Sequence, residues 1–172
     1  MRKFIALAVF TVFISLSAVA ADYPKAEIFG GYQFTHLEGS VNCNGFNFAL
    51  NGNFNEWFGI TADIGAAYKS QNGVKFSNYT YTFGPVLALR ANKAYTPFVH
   101  ALIGGDHASA SLSGFGGASS NGFALMAGGG VDANFADHLA FRVAQADWML
   151  VHGSGSTSSK NVRVSTGIVF KF

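Results

Sequence analysis

NVRVSTGIVFKF, residues 161–172, alternates in character position by position. Val162, Val164, Thr166, Ile168, Phe170 and Phe172 fall on one face, and Arg163, Ser165, Gly167, Val169 and Lys171 on the other. A period of two is the signature of a β-strand with one apolar and one polar side. The apolar side must lie against something apolar, so the rest of the chain either repeats the pattern around a shared surface or leaves this strand unexplained.

Working outward, the pattern repeats seven times. From Ala26, the set Ala26, Ile28, Gly30, Tyr32 and Phe34 alternates with Glu27, Phe29, Gly31, Gln33 and Thr35. Leu37 to Gly45 is polar and glycine-containing and reads as a loop. A second strand follows with Phe46, Phe48, Leu50, Gly52 and Phe54 on one face, then a turn at Asn55-Glu56-Trp57. The third strand sets Phe58, Ile60, Ala62, Ile64, Ala66 and Tyr68 against Gly59, Thr61, Asp63, Gly65, Ala67 and Lys69. Ser70-Gln71-Asn72-Gly73 is a hairpin signal. In the fourth strand Tyr79, Tyr81, Phe83, Pro85, Leu87 and Leu89 oppose Thr80, Thr82, Gly84, Val86, Ala88 and Arg90. Proline cannot donate to a ladder, so Gly84-Pro85 predicts a bulge.

After Ala91-Asn92-Lys93, the fifth strand runs from Tyr95 to Gly105, with Phe98, His100, Leu102 and Gly104 sharing a face. Asp106 to Asn121 is rich in Gly, Ser and Ala and reads as the longest loop. The sixth strand places Phe123, Leu125, Ala127, Gly129, Val131, Ala133 and Phe135 opposite Ala124, Met126, Gly128, Gly130, Asp132 and Asn134. The seventh begins with Leu139, Phe141 and Val143 apolar, then changes phase to Ala146, Trp148 and Leu150. One extra residue near Ala144 restores the alternation, as a β-bulge does. His152 to Lys160 reads as the last loop.

Eight strands joined alternately by short turns and longer loops predict an all-β, eight-stranded antiparallel transmembrane β-barrel. Its short turns would face the periplasm and its longer loops the exterior. The apolar set contains no Asp, Glu, Lys or Arg. A charge on a lipid face costs about 2–4 kcal/mol at mid-membrane, so that absence is what lipid contact demands. Only 12% of residues are charged, against about 25% in soluble domains, and the polar faces are Gly, Asn and Thr rather than Lys and Glu. A soluble sandwich fits this poorly, and the 18 phenylalanines argue against disorder.

The amino-terminal residues 1–20 read as a cleaved signal peptide: Arg2 and Lys3, an apolar run from Phe4 to Leu16, then Ala18-Val19-Ala20 as a small-x-small site. The apolar run is shorter than the roughly 20 residues a spanning helix needs. Residues 21–172 would be the barrel domain. Loss of Arg2 and Lys3 takes the formal charge from +2 to zero, leaving no electrostatic footprint for nucleic acid. The single Cys43 excludes an intramolecular disulfide and reads as an incidental loop thiol.

The signal peptide, the eight alternating segments and the terminal Gly167-Ile168-Val169-Phe170-Lys171-Phe172 resemble the small OmpA/OmpX-like outer-membrane β-barrel family. That resemblance implies secretion to the periplasm and insertion into the bacterial outer membrane by the barrel-assembly machinery with periplasmic chaperones. Phe170 and Phe172 would act as the assembly signal, and outer-membrane lipid and lipopolysaccharide would surround a monomer. OmpA's peptidoglycan-binding domain is not expected, and the family implies no single activity.

The polar faces carry Glu27, Asp63, Arg90, Asp132, Arg142, Asp147, Arg163 and Lys171. Asp132 and Arg142 flank the turn at Asp137 symmetrically, Asp147 and Arg163 flank the last loop, and Glu27 and Lys171 would meet where the barrel closes. Eight strands leave an interior that side chains can fill, so these residues are expected to form a lumen polar network rather than a charge-lined pore. His36, His100, His138 and His152 are scattered without metal-ligand spacing, and Gly128-Gly129-Gly130, inside a strand, relieves crowding rather than cradling phosphate. His107-Ala108-Ser109, beside Asp106, is similar to the His-x-Ser pair of outer-membrane lipid A deacylases, in which histidine activates serine. The surroundings of that pair are not matched here. No catalytic, cofactor or metal site is therefore expected. The expected role is non-enzymatic, in envelope structure or surface interaction through the outer loops; a porin-like pore and a deacylase are the alternatives.

Overall fold

The computed structural model describes residues 23–39, 41–71, 74–112, 116–153 and 155–172. The signal peptide expected at residues 1–20 and the tip at Asn72 and Gly73 lie outside them. Eight strands, β1 (Ala26–Leu37), β2 (Val41–Asn53), β3 (Phe58–Gln71), β4 (Val74–Ala88), β5 (Tyr95–Leu112), β6 (Gly116–Ala136), β7 (Leu139–Gly153) and β8 (Ser156–Lys171), follow in chain order. Each pairs antiparallel with its neighbour, and β1 pairs with β8 to close the barrel. Closure matters physically: in lipid every backbone donor and acceptor must be met within the protein, and a closed barrel has no edge.

The alternation in the sequence becomes an inside and an outside. Ile60, Ile64, Val99, Ile103, Val164 and Ile168 are exposed on the outer wall. Asn47, Thr61, Asp63, Asp132, Asp147 and Arg163 are buried within. Aromatic side chains mark the two ends of the outer wall. Phe46, Tyr68 and Tyr79 pack in series, with ring centroids 6.3 and 5.8 Å apart, near the hairpin ends of their strands. Phe54 against Phe58 and Phe135 against Phe141 pack at 5.9 and 6.4 Å near the opposite end. Such girdles sit at the two interfaces of a membrane barrel.

The short links also form as their residues dictate. Asn55 Oδ1 accepts from the amides of Trp57 (2.9 Å) and Phe58 (2.7 Å), the side-chain turn that Asn favours. The extra residue expected near Ala144 is present. Val131 pairs with Ala144 and Asp132 with Arg142, so Val143 bulges out. Thr166, polar among the apolar positions of β8, donates from Oγ1 to the Arg142 carbonyl at 2.8 Å, beside the interrupted ladder.

Four expectations are corrected. Residues 37–45, 106–121 and 152–160 are not long loops: paired strand continues through most of each, and β5 and β6 stay in register up to Leu112–Gly116. Above the lipid the outward face meets water and need not be apolar, so a reading based on alternation stops at the membrane edge. Cys43 is consequently a fully buried residue of β2 rather than a loop thiol. Gly84-Pro85 is not a bulge, since Phe83–Ile103 and Val86–His100 lie in one register. The rungs between them are missing. The Leu89 amide donates to the Pro97 carbonyl, so odd-numbered amides of β4 point towards β5, and Pro85 lacks the one that would serve there. Finally, β4 stops at Ala88, leaving Leu89 and Arg90 in the link to β5.

At the outer end, the β1–β2 and β7–β8 hairpins are tied together. The Glu38 amide donates to Asn161 Oδ1 (2.8 Å) and the Ser159 amide to Glu38 Oε2 (3.2 Å). Hydrogen bonds from Ser158 and Ser159 hold the Glu38 carboxyl below its ordinary range.

Candidate functional site: the barrel lumen

The inward positions build three tiers. At the periplasmic end Glu27 receives Arg90 Nη2 at 3.3 Å and Asn51 Nδ2 at 3.3 Å. Arg90 Nη1 also donates to the Glu56 carbonyl at 2.6 Å. Lys171 Nζ donates to Asn134 Oδ1. Glu27 and Lys171 are register partners across the β1–β8 seam, as symmetry suggested, but each takes a different hydrogen-bond partner.

The middle tier is a continuous charged chain. Arg142 grips Asp132 through two hydrogen bonds of 2.8 and 3.0 Å, and its guanidinium lies between the rings of Phe29 and Phe98, 4.4 and 4.2 Å from their centroids. Gln145 links the next pair, accepting from Arg142 Nη1 (2.7 Å) and donating to Asp147 Oδ2 (2.8 Å). Asp147 in turn receives Arg163 Nε at 2.8 Å and meets His100 Nε2 at 2.8 Å. Arg163 crosses the lumen to Asp63 Oδ1 at 2.7 Å, and Asn47 Nδ2 reaches the other oxygen at 2.9 Å. Planar, bidentate guanidinium contacts of this kind suit arginine and would not survive as lysine.

Above this, Leu102, Met126 and Met149 are fully buried and close the lumen with an apolar layer, against which Leu37 packs. Beside Glu27 and Arg142 the free space is about 10 Å³, scarcely room for one water. The interior is a plug of paired charge capped by apolar side chains.

All eight charged residues singled out from the sequence face this lumen, four acids with four bases. The Asp132–Arg142 and Asp147–Arg163 pairs form across adjacent strands. The contacts that sequence reasoning missed join strands that are not neighbours: Arg163 with Asp63, Arg90 with Glu27, and His100 with Asp147. The last depends on Gly128, which lies between them in the register. A Cβ there would sit 2.2 Å from Asp147 Oδ1. The glycine run relieves crowding as expected, and its signal for His100 was the missing side chain between two polar ones.

His107 and Ser109 lie on β5, outside any loop, and face outward. His107 Nδ1 pairs with Asn121 Oδ1 at 2.6 Å and Ser109 Oγ with Ser77 Oγ at 2.9 Å. Asp106 points to the opposite, inner face, where Asn78 Nδ2 of the adjacent β4 donates to it. The three do not converge. The same arrangement, histidine to a polar partner on the next strand, recurs at His36–Asn42 and His152–Thr157. Among the described residues no three of His, Cys, Asp and Glu gather as metal ligands. Phe170 and Phe172 are exposed on the outer wall.

The profile of a family described as "Outer membrane protein beta-barrel domain" matches residues 5–172. No curated protein matches the chain. Among solved structures, Ail, the attachment invasion locus protein of Yersinia pestis, superposes with a TM-score of 0.62 at 20% identity, covering 87% of this chain and 99% of that one. Neisserial surface protein A gives 0.66 at 15% identity, covering 86% and 96%. OprG from Pseudomonas aeruginosa gives 0.59 at 11%, covering 88% and 97%. At these identities the likeness is one of fold.

Proposed function

The chain belongs to the outer-membrane β-barrel domain family, and on that premise we propose that it works as a non-enzymatic, closed barrel whose function lies in its outer hairpins. It resides in the bacterial outer membrane. The observation that carries the reading is the filled lumen: among the described residues a charged chain runs from Asp132 to Asp63 under the Leu102–Met126–Met149 layer. What remains available for contact is the surface above the lipid. The β5–β6 hairpin alone extends seven register pairs beyond Gly105, from Asp106–Gly122 to Leu112–Gly116. That is on the order of 20 Å along the strand. Envelope structure or surface interaction is the role this supports.

Single-channel recording of the refolded barrel in a planar bilayer tests it. A silent membrane is expected. Discrete openings, changed in size by Arg142→Ala, would make the lumen a conduit and defeat the reading.

The partners under this proposal are outer-membrane lipid and lipopolysaccharide, the barrel-assembly machinery and periplasmic chaperones, with the protein itself a monomer. The apolar outer face of β8, with Phe170 and Phe172, is the strand the machinery would read. Phe172→Ala should lower the fraction of heat-modifiable, folded protein in outer-membrane extracts several-fold. An unchanged fraction would remove that role from Phe172.

A further inference from the structure

At the periplasmic mouth, below the Glu27–Arg90 pair, lies a cavity of about 370 Å³. That volume accommodates a small organic molecule, at the lower end of ordinary ligand pockets. The strand links frame it: Arg90 and Lys93 come from the β4–β5 link, Asp137 from the β6–β7 link, and Lys171 from the end of β8. Three cations thus face a single acid on its walls.

Their bonding inside the protein is incomplete. Arg90 spends its two terminal nitrogens on Glu56 and Glu27, but its buried Nε has no acceptor. Lys171 Nζ reaches a neutral amide oxygen, that of Asn134. Lys93 forms no ion pair among the described residues, although its carbonyl is fixed by Asn134 Nδ2 at 2.9 Å. Pro24 supplies an apolar lip.

We propose that this vestibule binds a small monocarboxylate from the periplasm, an acylated amino acid or the free end of a short peptide. The carboxylate lies among Lys93, Lys171 and Arg90, supplying the counter-charge that Lys93 lacks. The aliphatic part rests on Pro24. A monoanion suits the mouth better than a dianion, because Glu27 and Asp137 already balance part of the charge. Attraction of this kind is screened by salt where the site meets solvent.

The test uses the full barrel refolded in detergent micelles and followed by NMR. N-acetylalanine, its neutral amide and inorganic phosphate are titrated separately. N-acetylalanine should shift the Lys93 and Asn134 amides saturably and bind about tenfold more tightly than the amide form, the loss expected when one charge-assisted contact is removed. Lys93→Gln should weaken it at least about threefold while leaving the melting temperature unchanged, since Lys93 is exposed and outside every strand. Equal binding of acid and amide, no saturable shift, or indifference to Lys93→Gln would overturn the site. Tighter binding of phosphate would overturn the assignment to carboxylates.

Discussion

Arg163 carries the most weight of any single side chain in the barrel. It is fully buried, lies on β8, and neutralises Asp147 on the adjacent β7 and Asp63 across the lumen on β3. Its own desolvation is offset only by those two contacts. Removing one partner of a buried ionic cluster leaves the others unpaired, which costs about 3–5 kcal/mol, more than the pair itself contributes. Arg163→Met should therefore lower unfolding stability in urea by about 3–5 kcal/mol. A loss below about 1 kcal/mol would mean that Asp63 and Asp147 do not depend on Arg163 for their countercharge. Much of this was legible in the residues. Pairs placed symmetrically about a turn, Asp132 with Arg142 and Asp147 with Arg163, follow from hairpin register. Asp63 had no such partner in the sequence, because β3 and β8 meet only through the curvature of a closed barrel. His100 was hidden for the related reason that Gly128 leaves room for a contact that skips a strand.

Strands obey alternation only where one face meets lipid and the other does not. That is why all eight were legible in their membrane segments while the hairpins beyond Leu37, Gly105 and Val151 read as loops. The phase change in β7 was legible as well, since a slipped register moves every later side chain to the wrong face. The Gly84-Pro85 step was not. Its alternation is unbroken, so the sequence shows a proline without showing how the ladder accommodates it. The structure keeps register and omits the rungs to β5, and Gly84 allows the strands to stay close. A Cβ on Gly84 would lie 2.1 Å from the Ala101 carbonyl oxygen. Pro85→Val restores an amide pointing at β5. With the register already correct, it should add one backbone hydrogen bond and stabilise the barrel by about 0.5–1.5 kcal/mol. An amide at residue 85 of the variant that is protected from exchange, with a higher urea midpoint, would report it. A midpoint that does not rise would show that Gly84, rather than the missing donor, sets the gap.

At the scale of the molecule, the closed ladder, the balanced lumen and the uncharged outer wall answer one constraint, that no polar group may face hydrocarbon unmet. The two aromatic girdles fix how deep the barrel sits. Along β3 they are reached at Phe58 and Tyr68. Ten steps of strand between them cover roughly 33 Å, and a tilt of about 40° reduces this to roughly 25 Å, the height of the apolar band in membrane barrels. Ile64 then lies near the midplane, facing out and exposed. Ser109 also faces outward, but lies two positions beyond His107, which packs beside Tyr79 of the upper girdle. The placement makes a paired prediction. Ile64→Arg should cost about 2–4 kcal/mol in a lipid bilayer, whereas Ser109→Arg, above the band, should cost no more than about 1 kcal/mol. Reversible unfolding of both variants in the same phospholipid vesicles measures the difference directly. In detergent micelles, whose apolar belt adapts to the protein, the gap should shrink. Equal penalties in the bilayer would place the membrane higher on the barrel, with the paired hairpin of β5 and β6 inside the lipid rather than above it.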